Sequence, residues 1–235
     1  MIRSLFTIFA IVLLGVVFAT IAVSYSEQQS LRPLAESYVQ LVPRDLGAAN
    51  VVTGILLTYR AFDTLGEVAV LFMVAASAGL ILGTRQRRPE ERGEPAQEAA
   101  RPSSEIVQTG SQILAPLISI FAAYIIMNGH LSAGGGFQGG AVIASCVLLI
   151  LLTYPEHRIN VEFLSITESL AGALFVLTGI VGLIAAGGFL DSHILPLGQF
   201  GAFFSAGAIP ILSALLGVKV GCELSVILDR FRPQP

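Results

Sequence analysis

Long stretches of this chain contain no charged residue at all. Leu5 to Val23 runs for 19 residues without a charge, which at 1.5 Å per residue comes close to the roughly 30 Å hydrocarbon core of a bilayer. Further apolar runs lie at about Thr64–Leu82, Ile106–Met127, Phe137–Tyr154, Glu162–Ala186 and Phe203–Ile227. In lipid every backbone N–H and C=O must be satisfied within the protein, so only helices or closed barrels are open to such runs. Barrel strands alternate apolar and polar residues, and these runs are continuously apolar. The chain therefore reads as an all-α integral membrane protein of about six transmembrane helices, two and then four. Charged residues make up only 12% of it and apolar residues 54%, against about 25% charged in soluble domains. That leaves too little polar surface for a soluble enzyme or a disordered chain. No nucleic-acid footprint is present.

Arg3 precedes the first run, and Ala22-Val23-Ser24 is a passable cleavage site. The apolar stretch is longer than a signal peptide's, so it reads as an uncleaved span. Residues 25–46 are polar and form a loop outside the bilayer. The next region, Leu46–Gly83, is 38 residues long and interrupted by Arg60, Asp63 and Glu67. It is too long for one span and too short for two. It reads as a short helix over 51–59, with Asn50 as N-cap, followed by a full span from Thr64. Length leaves open whether the short helix lies at the interface or re-enters partway.

Residues 84–105 hold ten of the 29 charged residues, together with three prolines. Such a stretch cannot bury a core and reads as a flexible, cytoplasmic charged linker. The expected organisation is an N-terminal module over 1–83, the linker, and a four-span module over 106–235. Pro116 and Pro210 fall inside two runs, and each predicts a kink. With the N-terminus inside, inner segments collect nine arginines and outer segments three, Arg32, Arg44 and Arg60. This bias predicts cytoplasmic termini.

Ionisable residues within spans are costly and mark function by default. Glu67 lies near the outer start of the second span, one turn past Asp63. Glu168 lies in the fifth span, and Lys219 and Glu223 share one face of the last, four residues apart. With Glu168 counted from the start of the fifth span, and Lys219 and Glu223 from an end of the last near Ile227, these three occupy similar depths in the inner leaflet. A proton or cation relay, a structural ion pair or a snorkelling lysine would each account for the Lys219/Glu223 pair. Ser213, Gly217, Gly221 and Ser225 recur every fourth residue on another face of that helix, a ridge suited to close packing. Ala75, Gly79 and Gly83 form a second stripe.

Between two spans runs Gly129-His130-Leu-Ser-Ala-Gly134-Gly135-Gly136-Phe137-Gln138-Gly139-Gly140. Its G-x-G-x-x-G spacing lacks the strand before it and the acid after it that a dinucleotide site requires. The glycines suit either a flexible loop or a non-helical segment packed closely at the membrane edge. His130 and His193 read as ordinary polar residues of outer loops. Cys146 and Cys222 read as packing thiols at different depths, and no Cys/His cluster suggests a metal site.

The segment from Asn50 through Arg60, Asp63, Gly66 and Glu67 resembles the E subunit of membrane-bound hydrogenases, and equally the C-terminal end of the large A subunit of Mrp-type Na⁺/H⁺ antiporters. The second half, with Gly129-His130 and the glycines at 134–136 and 139–140, resembles the antiporter B subunit, the MnhB family. The chain looks like a natural fusion of the two. Ala133 stands where the B family often has proline. Asp63, Glu67 and His130 match the family motifs. Glu168, Lys219 and Glu223 rest on depth alone. The resemblance implies a non-catalytic component of a multisubunit cation/proton antiporter in a prokaryotic cell membrane. It would bind no cofactor, would have other Mrp-type or hydrogenase-type membrane subunits as partners, and would help to form a path for Na⁺ or H⁺. A structural scaffold in the membrane arm of a redox complex is the alternative. Six spans with so few charges and no repeat make a poor transporter alone.

Overall fold

A computed structural model of the chain describes residues 2–26, 30–92 and 103–231. Eight α-helices are present among them: α1 (Ile2–Ser24), α2 (Pro33–Leu41), α3 (Val51–Gly54), α4 (Ala61–Arg92), α5 (Glu105–Met127), α6 (Gly136–Thr153), α7 (Val161–Ala185) and α8 (Ile209–Phe231). Two wide π-helical turns, Val42–Leu46 and Ile55–Tyr59, flank α3, and a 3₁₀ turn covers Ser192–Ile194. Six of these helices are long and apolar enough to cross a membrane, as the uninterrupted runs predict. The chain divides into two compact units, one reaching to Ser37 and one from Tyr38 onward. The first holds α1 and the start of α2, and from Leu5 to Val23 α1 carries no charge on any side, as suits a helix facing lipid.

In the second unit α8 is the hub, touching α4, α5, α6 and α7. Its small residues make this possible. Ser213, Gly217, Gly221 and Ser225 are all buried. A Cβ on Gly217 would come within 2.6 Å of Ile126 on α5, and one on Gly221 within 3.2 Å of Ile143 on α6. In lipid, where no hydrophobic effect drives helices together, such close backbone approach adds the van der Waals contact that holds them. The face carrying Lys219 and Glu223 is not left open, because α7 covers it. At one end of α8 the 186–208 loop folds back over the helix start. Leu190, Ala206, Ala208, Ile209 and Leu212 join Val42, Leu46, Leu57 and Ala61 there in one buried cluster.

The short helix is present as expected. Asn50 accepts hydrogen bonds from the backbone N–H groups of Val52 and Thr53 at 3.1 and 3.3 Å, and the wide turn continues it to Tyr59.

Two expectations are corrected. The last helix begins at Ile209, not Phe203. Pro210 therefore sits in its first turn, where a missing N–H costs no hydrogen bond and no kink follows. The shift also places Lys219 ten residues from the start and twelve from the end of α8. That is near the middle of the helix. Second, α4 continues as helix to Arg92, through the first part of the segment read as linker. Arginine and glutamate are good helix formers, and a span that is already helical needs no new nucleus to propagate. Residues 93–102 of that linker lie outside the described residues.

Candidate functional site

Three of the sequence-predicted ionisable residues meet inside the second unit. Lys219 Nζ donates to Glu168 Oε1 at 2.9 Å across the α7–α8 contact, and to Glu223 Oε2 at 2.8 Å one turn along α8. All three side chains are buried, Glu223 with no exposed surface at all. The lysine stem lies along Gly172 of α7, and its ammonium sits 5.9 Å from the centre of the Phe72 ring on α4, within cation–π range. The second carboxylate oxygen of Glu223, Oε1, is buried and has no hydrogen-bond partner. Removing two carboxylates and an ammonium from water is expensive, and such a cluster does little for stability.

The glycine segment lies toward the start of α8 and proves to be packed, not loose. Gly134 and Gly135 adopt φ values of 152° and 137°, a region that disfavours side chains. Gly136 rests against the α8 backbone: an added Cβ would lie 2.5 Å from the Ser213 carbonyl oxygen and 2.7 Å from Leu216 Cβ. Gly140 meets Val220 and Gly217 in the same way, and Gly139 meets Ile126. Asn50 fastens the loop from the other side. Its Nδ2 donates to the carbonyls of Gly129 and Ser132, both at 2.8 Å, and its backbone N–H to the carbonyl of His130. One amide therefore caps α3 and anchors the glycine loop.

His130 corrects a further expectation. It is fully buried, not an ordinary polar loop residue, because the 186–208 loop closes over it. Neither ring nitrogen makes a hydrogen bond, although the carbonyls of Met127, Ala202 and Phe203 lie near the ring. Burial pushes its basicity below the usual histidine value. His193 behaves oppositely. Nδ1 lies 2.6 Å from Asp191 Oδ1 and Nε2 lies 3.0 Å from the Asp45 carbonyl oxygen. Both neighbours are acceptors, so only the doubly protonated imidazolium satisfies both. The hydrogen bond to Asp191 accordingly raises its basicity. Nearby, Tyr59 donates to Asp45 Oδ2 at 2.8 Å, and burial followed by that carboxylate pushes the phenol up to about 12.

Asp63 and Glu67 do not join the buried cluster. Asp63 pairs with Arg60 at an exposed position. Glu67 is exposed at the side of an apolar groove of about 620 Å³, whose walls include Val70 and Val74 of α4, Phe137 and Ala141 of α6 and Leu224 of α8. Among the described residues no hydrogen bond or ion pair links Asp63, Glu67 or His130 to Glu168, Lys219 or Glu223. The second small-residue stripe also finds a use. Arg230 donates to the carbonyl of Ala75 at 2.9 Å, and its guanidinium fills the space that a side chain at Gly79 would take. Cys146 and Cys222 are both free thiols. Sequence reasoning did not single out Phe72, Gly172 or Arg230. An aromatic, a glycine and a helix-end arginine give no signal until the helices that carry them are paired.

A family model for a domain related to the MnhB subunit of Na⁺/H⁺ antiporters matches residues 106–226, just over half of the chain. The chain belongs to this MnhB-related family. A second model, for the E subunit of MBH, matches residues 2–99, so the two resemblances read from the motifs are both present in one polypeptide. Among curated relatives, a probable K⁺/H⁺ antiporter A/B subunit of Rhizobium meliloti is 29% identical over 213 residues, which is 79% of this chain and 20% of that protein. The B subunit of the Na⁺/H⁺ antiporter of Bacillus subtilis is 34% identical over 90 residues, covering 36% of this chain and 62% of that one. Among solved structures, a chain of the membrane-bound sulfane sulfur reductase, an archaeal respiratory membrane complex, aligns over all of both chains with 33% identity and a TM-score of 0.80. This MnhB-related chain is thus a multi-pass membrane protein, with the fold of a component of a larger membrane assembly.

Proposed function

We propose that this MnhB-related chain is a non-catalytic membrane component of a multisubunit cation/proton antiporter, supporting the path along which Na⁺ or H⁺ crosses beside larger subunits. The observation that carries this reading is the buried Glu168–Lys219–Glu223 cluster within a domain of the MnhB type. A buried charge cluster in a span is retained at a cost, and a path that must accommodate a moving cation supplies a reason for that cost. Glu67, open to the groove beside α6 and α8, and the buried His130 are further path candidates, as is Asp63. The chain itself performs no chemical conversion and holds no cofactor. The N-terminal module and the four-span module are joined through the charged segment, and the arginine bias supports cytoplasmic termini in a prokaryotic inner membrane.

A redox-driven parent complex is the second reading, favoured by the full-length likeness to a chain of an archaeal respiratory complex. Purifying the intact complex and identifying its other chains separates the two: a peripheral oxidoreductase among them marks the second. Transport is tested by neutralising the cluster with Glu168→Gln, Lys219→Met and Glu223→Gln together. Normal assembly with lost cation efflux supports a path, whereas failed assembly marks a scaffold. Separately, Glu67→Gln is expected to lower efflux and alter its pH dependence, and unchanged Na⁺ efflux across pH would remove Glu67 from the path.

A further inference from the structure

The charges of the buried cluster do not balance. Two carboxyls face one ammonium, and the charged groups that act on Glu223 are Lys219 and Glu168. Among the described residues, the neighbours from other elements add no cation: α7 contributes Glu168, α4 the Phe72 ring, and α8 itself Lys219 and the thiol of Cys222, which lies near Glu168. Fully ionised, the triad would hold an uncompensated negative charge in a protein interior within the membrane, which is the costliest arrangement available to it. The unpartnered oxygen points to where the imbalance sits. Glu223 Oε1 has no exposed surface and no hydrogen-bond partner. A buried ionised carboxylate normally collects several donors, and an unpartnered oxygen costs far less on a neutral carboxyl than on a charged one.

We propose that Glu168, Lys219 and Glu223 form a proton-binding site that holds one exchangeable proton on its two carboxyls, with Glu223 as its resting position. One proton makes the triad neutral. The enclosed Oε1 has no exposed surface to admit a hydrated metal cation, and among the described residues no hydroxyl or amide hydrogen-bonds to it as a further ligand would. Of the two carboxyls, Glu168, 8% exposed against 0% for Glu223, is the one that reaches the protein surface and is the point of exchange. In the transfer an O–H bond breaks at Glu223 and one forms at Glu168. Lys219, hydrogen-bonded to both, is an ammonium before and after. A role in transport rests on the function proposed above, but the proton itself is read without measuring transport.

The test is infrared spectroscopy of the whole complex in lipid nanodiscs at neutral pH, following the protonated-carboxyl C=O band and its shift in D₂O. Charge counting sets the expected pattern. Wild type contributes one protonated carboxyl from this site. Glu223→Gln leaves Lys219 paired with Glu168, and Glu168→Gln leaves it paired with Glu223, so each loses that band completely. Lys219→Met leaves two carboxyls with no cation, and the band area doubles. The two glutamine variants suffice if Lys219→Met fails to assemble. A band that survives both glutamine substitutions, or no band from this site in wild type, overturns the proposal. So does a band that vanishes when sodium replaces choline at constant pH, since the site would then take a metal cation.

Discussion

Gly136→Ala asks for the smallest possible change at the point where the glycine segment meets α8. The new Cβ would lie 2.5 Å from the Ser213 carbonyl oxygen, 2.7 Å from Leu216 Cβ and 2.9 Å from the Gly217 nitrogen. An ordinary contact begins near 3.4 Å, so α6 and α8 must separate by roughly 0.9 Å to clear the nearest atom, the Ser213 oxygen. Two of the three obstacles are backbone atoms, which cannot rotate away. Overpacking of this kind costs about 1–3 kcal/mol, or about 2–12 °C in melting temperature for a chain of this size. Gly110→Ala is the matched control. It makes the same chemical change inside α5, where an added Cβ meets nothing within 4 Å. It is expected to be neutral, or to stabilise by up to about 1 kcal/mol through helix propensity. The assay is thermal unfolding of both variants and wild type, purified in the same detergent. A Gly136→Ala protein that melts with Gly110→Ala would show that the segment is loose and that its glycines do not set the α6–α8 distance.

Three further outcomes follow from the geometry. Lys219→Met alone breaks both buried pairs and forces the second carboxyl to bind a proton as well, and is expected to cost about 3–5 kcal/mol; adding Glu168→Gln and Glu223→Gln should recover most of it, and equal stability of the single and triple variants would contradict the charge argument. Asn50→Ala loses the α3 cap and two hydrogen bonds to the glycine loop, about 2 kcal/mol together, read as faster amide exchange at both 51–54 and 129–132; faster exchange at only one of them would show that the two are not joined through Asn50. His193, its basicity raised by Asp191, contributes stability that is complete below its ordinary value near 6.5 and lost as pH rises through the raised one. Protease resistance of the 186–208 loop should therefore fall with rising pH in wild type and stay flat in His193→Gln.

The spans were legible because their signal is local: a run of apolar residues of bilayer length is helical wherever it sits, since the backbone has no other partner. Asn50 as a cap and the short helix after it were legible for the same reason. The start of α8 was not, because Phe203 to Ala208 is apolar without being helical. The loop folds back onto the helix start, and its carbonyls find partners that no hydropathy pattern encodes. The four-residue spacing of Lys219 and Glu223 was visible on one helix, and so was the odd charge of Glu168 on another. Their ion pairing was decided only when α7 packed against α8. The same holds for the glycine loop, which the sequence left open between flexible and packed, and for His130, which a distant loop buries. Sequence by itself determined which segments enter the membrane and which residue types are out of place there. Tertiary structure alone decided that two carboxyls share one lysine, because charge balance depends on the neighbours that separate helices bring together.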